Sequence, residues 1–158
     1  MDNFTLPRYE ELPDFPIFIE QVIMIVENRL SAFFFGDEKI ITKSMINNYV
    51  KSGLVRSPVK KKYERDQLAY IIVICLLKKS FNLDEIGLII NTVVNNISID
   101  VSYDYFCTDL IKCLDSICAK EPIEHVPYLV ADSQLAYACQ SVLLTVAHKI
   151  YLESLLKK

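Results

Sequence analysis

A chain of 158 residues that is 52% apolar and 23% charged has ample material for a core and is too apolar for disorder. With only three glycines and no nucleophile elbow, phosphate loop or zinc-hydrolase motif, it is not expected to be an enzyme. The net charge of −3 is unevenly spread: from Glu38 to Lys79 ten Lys and Arg stand against three Asp and Glu, while the remainder carries seven against seventeen. A basic segment on an acidic body suits a polyanion docking on one face.

The longest apolar run, Leu68 to Leu77, is ten residues, half the roughly 20 that a spanning helix needs. The start, MDNFTLPRYEEL, is acidic and lacks the basic and apolar regions of a signal peptide. Five cysteines without disulfide-framework spacing predict reduced thiols, and hence a cytoplasmic protein.

In chain order, Met1 to Phe15 reads as an extended, polar lead with Pro7 and Pro13. Asp14 can cap a helix with Pro16 in its first turn, running to about Phe35. Its apolar residues Phe18, Ile19, Val22, Ile23, Val26, Leu30 and Phe33 recur at three- and four-residue spacing. Thr42 then caps a shorter helix that Gly53 closes. Ile46, Tyr49, Val50 and Leu54 give it a buried face. Lys43, Asn47 and Lys51, with Ser44 and Asn48 beside them, give it a polar and basic face. Arg56 to Arg65, with Pro58 and Lys60-Lys61-Lys62, fits a short hairpin or extended loop.

Asp66 to Lys79 follows. Its apolar run is compatible with a buried strand, but Asp66 and Gln67 at the start and Lys78 and Lys79 at the end favour a helix. Asn82-x-x-Glu85 opens a helix from Leu83 to about Asn95, which Asn95-Asn96 breaks. Asp100 to Lys120 is a further helix, Pro122 to Pro127 a connection, and Ala131 to Leu156 a long helix capped by Ser133 or Asp132. Apolar residues cover more than half the circumference of that last helix, so it is buried on several sides or packs against a second chain.

Within this order, Tyr49-x-x-x-Gly53-Leu54, a basic turn, Tyr63-x-x-x-x-Leu68 and Asn82-Leu83-x-Glu85-Ile86 stand in register. Together they resemble the winged helix-turn-helix of the MerR type, over about a third of the chain. The whole chain, through Leu6-Pro7-Arg8, Ile41 to Tyr49 and Lys60 to Tyr63, is similar to a family of small bacterial domain-of-unknown-function proteins with a MerR-like DNA-binding part. The resemblance implies an all-α, MerR-like winged helix-turn-helix with a short β-wing plus a C-terminal helical subdomain. It implies a regulatory role and no established ligand.

The residue chemistry is compatible with that implication. Asn47 and Asn48 each offer the paired donor and acceptor that read adenine in the major groove. Lys43 and Lys51 flank them for phosphates, and Arg56, Lys60, Lys61, Lys62 and Arg65 form a charged wing. Thr42, Ser44 and Tyr49 complete the candidate DNA-binding set. MerR-type proteins sense metals with cysteines near the dimer helix. Here Cys107, Cys113 and Cys118 lack a CxxC pair or a Cys-His cluster and read as core thiols. His125 and His148 stand alone, so neither a metal nor a cofactor is expected.

The expected organisation is therefore a lead at 1–15, a winged helix-turn-helix at 16–96 and a helical dimerisation or effector region at 97–158. The expected function is transcription regulation: double-stranded DNA read by helix 42–53 and a basic wing at 55–65, by a homodimer, with room for a small-molecule effector. The alternative is a helical protein–protein adaptor without DNA binding.

Overall fold

The structure, a computed structural model, describes residues 3–94, 97–124 and 133–157. Among them are six α-helices and one two-stranded antiparallel ribbon, so the expected helical class with a small β element holds. The ribbon consists of β1 (Ile17–Phe18) and β2 (Lys62–Tyr63), and the helices are α1 (Ile19–Leu30), α2 (Lys43–Lys51), α3 (Arg65–Leu77), α4 (Leu83–Val94), α5 (Ile99–Ala119) and α6 (Ser133–Leu156). The predicted break at Asn95-Asn96, the far end of the 122–127 connection, the cap of the last helix and His125 lie outside the described residues.

The core is built around α3. Leu68, Ala69, Ile71, Ile72, Ile74, Leu76 and Leu77 are all buried, which places this helix inside the protein on every side. Each fully buried aliphatic side chain contributes about 1.5–3 kcal/mol of transfer free energy. This accounts for the run that composition alone left between helix and strand: it is continuous because every face of the helix meets other side chains. α1 packs on one side of α3 and α5 on another, and α6 lies along α5. Leu143, Val146, Ala147 and Ile150 of α6 join the same core, while Tyr137, Leu152, Leu155 and Leu156 are exposed.

Two expectations near the N-terminus are corrected. The first residues do not form a polar lead. Phe4, Pro7 and Leu12 are buried, the Phe4 ring lies 5.2 Å from that of Phe33, and the Tyr9 N–H donates to Asp104 Oδ1 at 2.7 Å. The Tyr9 hydroxyl also bonds Asp66 at the start of α3, so the segment straps α1, α3 and α5 together. Nor does the first helix start at Pro16. Ile17 and Phe18 are extended and pair with Tyr63 and Lys62, and α1 begins only at Ile19. The cap comes from Gln21, whose side chain accepts the Phe18 N–H at 2.9 Å, rather than from Asp14. At its other end α1 stops at Leu30 and a 3-10 turn, Ser31–Phe33, buries Phe33.

The later boundaries follow the sequence closely. At α4, the Asn82 N–H donates to Glu85 Oε2 and the Glu85 N–H to Asn82 Oδ1, both at 2.9 Å, a reciprocal capping box. Just past α3, Lys79 turns inward. Its side chain is 1% exposed, its Nζ lies 2.6 Å from Glu153 of α6 and 3.5 Å from Glu38, and it sits over the Phe34 ring. This ionic contact ties the end of α6 to the end of α3 and to the loop that leads into α2.

Candidate nucleic-acid interface

Helix α2 presents the expected surface. Thr42 adopts an extended backbone and its Oγ1 accepts the Met45 N–H at 3.1 Å, which satisfies an otherwise unpaired donor of the first turn. Gly53, at φ +78°, ends the helix in the left-handed conformation that glycine adopts without strain. Between them Ile46 and Tyr49 are buried, and Lys43, Ser44, Asn47, Asn48 and Lys51 are exposed along one face. Lys43 is held by Glu20 of α1 at 2.8 Å, and this bond draws the Glu20 carboxyl below its usual range.

The wing is a tight turn. The Val59 N–H donates to the Lys62 carbonyl at 3.1 Å and the Lys62 N–H to the Val59 carbonyl at 3.0 Å. The two residues between, Lys60 and Lys61, have φ of 51° and 63°. Two positive φ values inside a mutually bonded pair are the pattern of a type I′ turn, whose usual occupants are Asn-Gly or Asp-Gly. Lysine there carries a steric penalty of about 1–2 kcal/mol per residue. Lys60, Lys61 and Lys62 are all exposed, and no carboxylate pairs with them among the described residues.

The outgoing arm of this turn continues into β2, so the wing is anchored on β1 rather than standing alone. Its base is fixed by a residue that sequence reading assigned no role beyond helix initiation. Gln67 is buried, its Oε1 accepts the Glu64 N–H at 2.7 Å, and its Nε2 donates to the carbonyls of Arg56 at 2.7 Å and Ser57 at 3.2 Å. The signal was present: Gln67 is the third helical residue after Glu64, the capping-box position.

Not every candidate reaches this surface. Tyr49 is 1% exposed and lies against Cys75, with Lys78 Nζ 5.5 Å from its ring. Burial raises its hydroxyl pKa, and it is a packing residue rather than a contact to DNA. Arg65 is half-buried, and its guanidinium lies 5.3 Å from the Tyr9 ring, directed at the N-terminal strap. Arg56 is exposed at the wing base but bonded to Glu64 at 2.9 Å.

Thr42, Lys43, Ser44, Asn47, Asn48 and Lys51 therefore form one surface on α2, and Lys60, Lys61 and Lys62 another at the turn. β1 and the first turn of α1 link the two: Phe18 pairs with Lys62, and Glu20, two residues on, bonds Lys43.

The chain belongs to the DUF1836 family. The model of this domain of unknown function matches residues 7–106, from the strap through α4 and into α5. No curated protein and no solved structure matches the chain. The matched segment contains every residue of the DUF1836 surface just described, while α6 lies beyond it.

The cysteines lie apart from this surface. Burial pushes the Cys75, Cys107 and Cys113 thiols up to about 12, which keeps them protonated. Among the described residues no three His, Cys, Asp or Glu side chains gather in a way that could hold a metal ion. No described helix is long and apolar enough to cross a membrane. A small apolar cavity of about 80 Å³ lies where α3, α4, α5 and α6 meet, lined among others by Tyr70, Leu77, Ile90, Phe106 and Val142.

Proposed function

We propose that this DUF1836 protein is a DNA-binding transcription regulator of the MerR-like winged helix-turn-helix kind. It reads duplex DNA with α2 and a basic wing. The observation that carries this reading is the Lys60-Lys61 turn. Backbone physics favours Asn-Gly at both positions, and two lysines occupy them instead, exposed and without acidic partners. Backbone strain at an exposed, like-charged tip is spent on function rather than on folding.

In this reading Asn47 and Asn48 face base edges, Lys43 and Lys51 bracket them on phosphates, and Lys60, Lys61 and Lys62 lie against the backbone of the next groove. The exposed apolar residues of α6, Tyr137, Leu152, Leu155 and Leu156, support a homodimer whose two-fold axis matches a palindromic site. The same α6 residues also support the second reading, a protein–protein adaptor.

Salt separates the two readings. With about five phosphate contacts, duplex affinity falls with a log–log slope of about four to five, and Lys60→Glu, Lys61→Glu and Lys62→Glu together abolish binding. The measurement is duplex binding by the purified protein across a salt series. Binding that survives the triple change rules out the wing as a DNA contact, and the absence of salt-dependent duplex binding by the wild type favours the adaptor.

A further inference from the structure

The exposed face of the ribbon is not wholly basic. Val59 bridges Lys62, and Lys62 pairs with Phe18, so these three residues stand directly opposite one another across adjacent chain segments. Residues opposite each other in antiparallel pairing project to the same face. The neighbouring pair, Ile17 and Tyr63, occupies the other face and is buried. The register therefore puts a row of Val59, Lys62 and Phe18 outward. Val59 is 66% exposed and Phe18 is 47% exposed, and Lys62 Nζ lies 5.0 Å from the Phe18 ring.

The place of this row gives it meaning. On one side are Lys60 and Lys61 at the tip. On the other, Glu20 in the first turn of α1 holds Lys43 at the start of α2. Val59 thus stands beside the charged tip, and Phe18 lies on the strand that leads to Glu20 and its contact with α2, with Lys62 between them. We propose that Phe18, with Val59 beside it, is the apolar centre of the duplex-binding surface, packing against deoxyribose rings and thymine methyl groups while the surrounding lysines neutralise phosphates. This rests on the duplex-binding reading above. A lipid headgroup layer would use the same lysines and apolar side chains. It has no use for the Asn47 and Asn48 amides alongside, which suit base edges.

The test exploits the difference between charged and apolar contacts. Binding of a mixed-sequence duplex is measured across a salt series for the wild type, Phe18→Ser, Phe18→Leu, Val59→Ser and Lys60→Ala. Phe18→Ser should weaken binding about tenfold at every salt concentration, the change expected when roughly 55 Å² of apolar surface no longer leaves water. The slope should stay unchanged, because no counterion is released by Phe18. Phe18→Leu should recover most of the affinity and Val59→Ser should lose several-fold. Lys60→Ala should instead lower the slope by about 0.9.

Thermal melts of each variant keep a folding defect apart from a binding defect, and Phe18→Leu preserves the fold if serine does not. Wild-type affinity in both Phe18 variants overturns the proposal while leaving the duplex reading intact. So does a Phe18→Ser protein that binds duplex normally but no longer binds phosphatidylglycerol vesicles. A wild type that shows no salt-dependent duplex binding overturns the duplex reading itself, and this proposal with it.

Discussion

Lysines from the same basic segment have opposite fates, Lys60 and Lys61 on one side and Lys79 on the other. Lys60 and Lys61 occupy strained backbone at the tip of a turn, exposed and without acidic partners among the described residues. Of Lys78 and Lys79, the first covers the Tyr49 ring and the second is buried against Glu153, Glu38 and Phe34. Charge counted along a sequence treats these residues alike. Solvent does not: an exposed unpaired lysine keeps its charge available to a partner, whereas a buried one must be neutralised inside the protein before the chain can fold. The basic segment is thus partly a surface and partly a structural rivet.

The largest expected effect breaks the rivet. Glu153→Leu leaves Lys79 buried with only Glu38 at 3.5 Å, and removing one partner of a buried pair costs about 3 kcal/mol. For a chain of this size that lowers the melting temperature by about 6–12 °C. Lys79→Met in the same protein should return most of the loss, because a matched apolar pair carries no stranded charge. Duplex affinity and its salt slope should be untouched in both. A drop no larger than that of a surface pair would show that Lys79 is not structural.

The pair also has a pH signature. Burial alone would raise the Glu153 carboxyl, but the Lys79 bond and charge, with Lys149 and Lys157, outweigh it and hold the carboxyl below the usual glutamate value of 4.5. A depressed carboxyl pKa stabilises the fold above 4.5, and that stabilisation is lost as pH falls through the folded value. Acid should accordingly destabilise the wild type more than Glu153→Gln.

The second effect is smaller and opposite in sign. Lys60→Asn with Lys61→Gly gives the turn its preferred residues and should raise stability by about 1–2 kcal/mol while lowering the salt slope of duplex binding by about two. Unfolding in urea and duplex titration read the two quantities separately. A protein no more stable than the wild type would mean that the lysines sit in the turn without strain.

Local chemistry written into short stretches was legible in the sequence. The Thr42 cap, the Gly53 stop, the outward Lys43–Asn47–Lys51 row and the Asn82–Glu85 box each depend on neighbours a few residues apart, and each appears in the structure. Features that depend on distant partners were not legible. Phe18 has helical spacing with the residues that follow, and only the pairing of Ile17 and Phe18 with Tyr63 and Lys62, far along the chain, draws it into a strand. Arg65 looked like wing charge because nothing in its neighbourhood announces Tyr9 beneath it. Gln67 stood at a helix start, but its two bonds to the wing base follow from tertiary placement. Spacing places Phe18 on an apolar helical stripe; a two-residue strand turns it outward instead, since alternate strand residues face opposite sides.

The smallest effect tests whether the exposed and buried charges are as separate as the comparison holds. Glu20 is an acidic residue beside the basic residues of α2, and it occupies Lys43, the first of them, at 2.8 Å. Both side chains are largely exposed, so the pair contributes little to folding. A phosphate approaching α2 must displace the carboxylate before it can reach Lys43, and the carboxylate repels it meanwhile. Glu20→Gln removes the repulsion and frees the lysine. It should strengthen binding to mixed-sequence duplex about two- to threefold and leave the melting temperature unchanged. A carboxylate also accepts a hydrogen bond from the cytosine N4 amino group. If Glu20 takes that role at a particular site, the same change should weaken binding there while strengthening binding elsewhere. Duplexes recovered by selection from a random pool with each protein would then differ at a single cytosine position, and identical preferences would confine Glu20 to holding Lys43 in check.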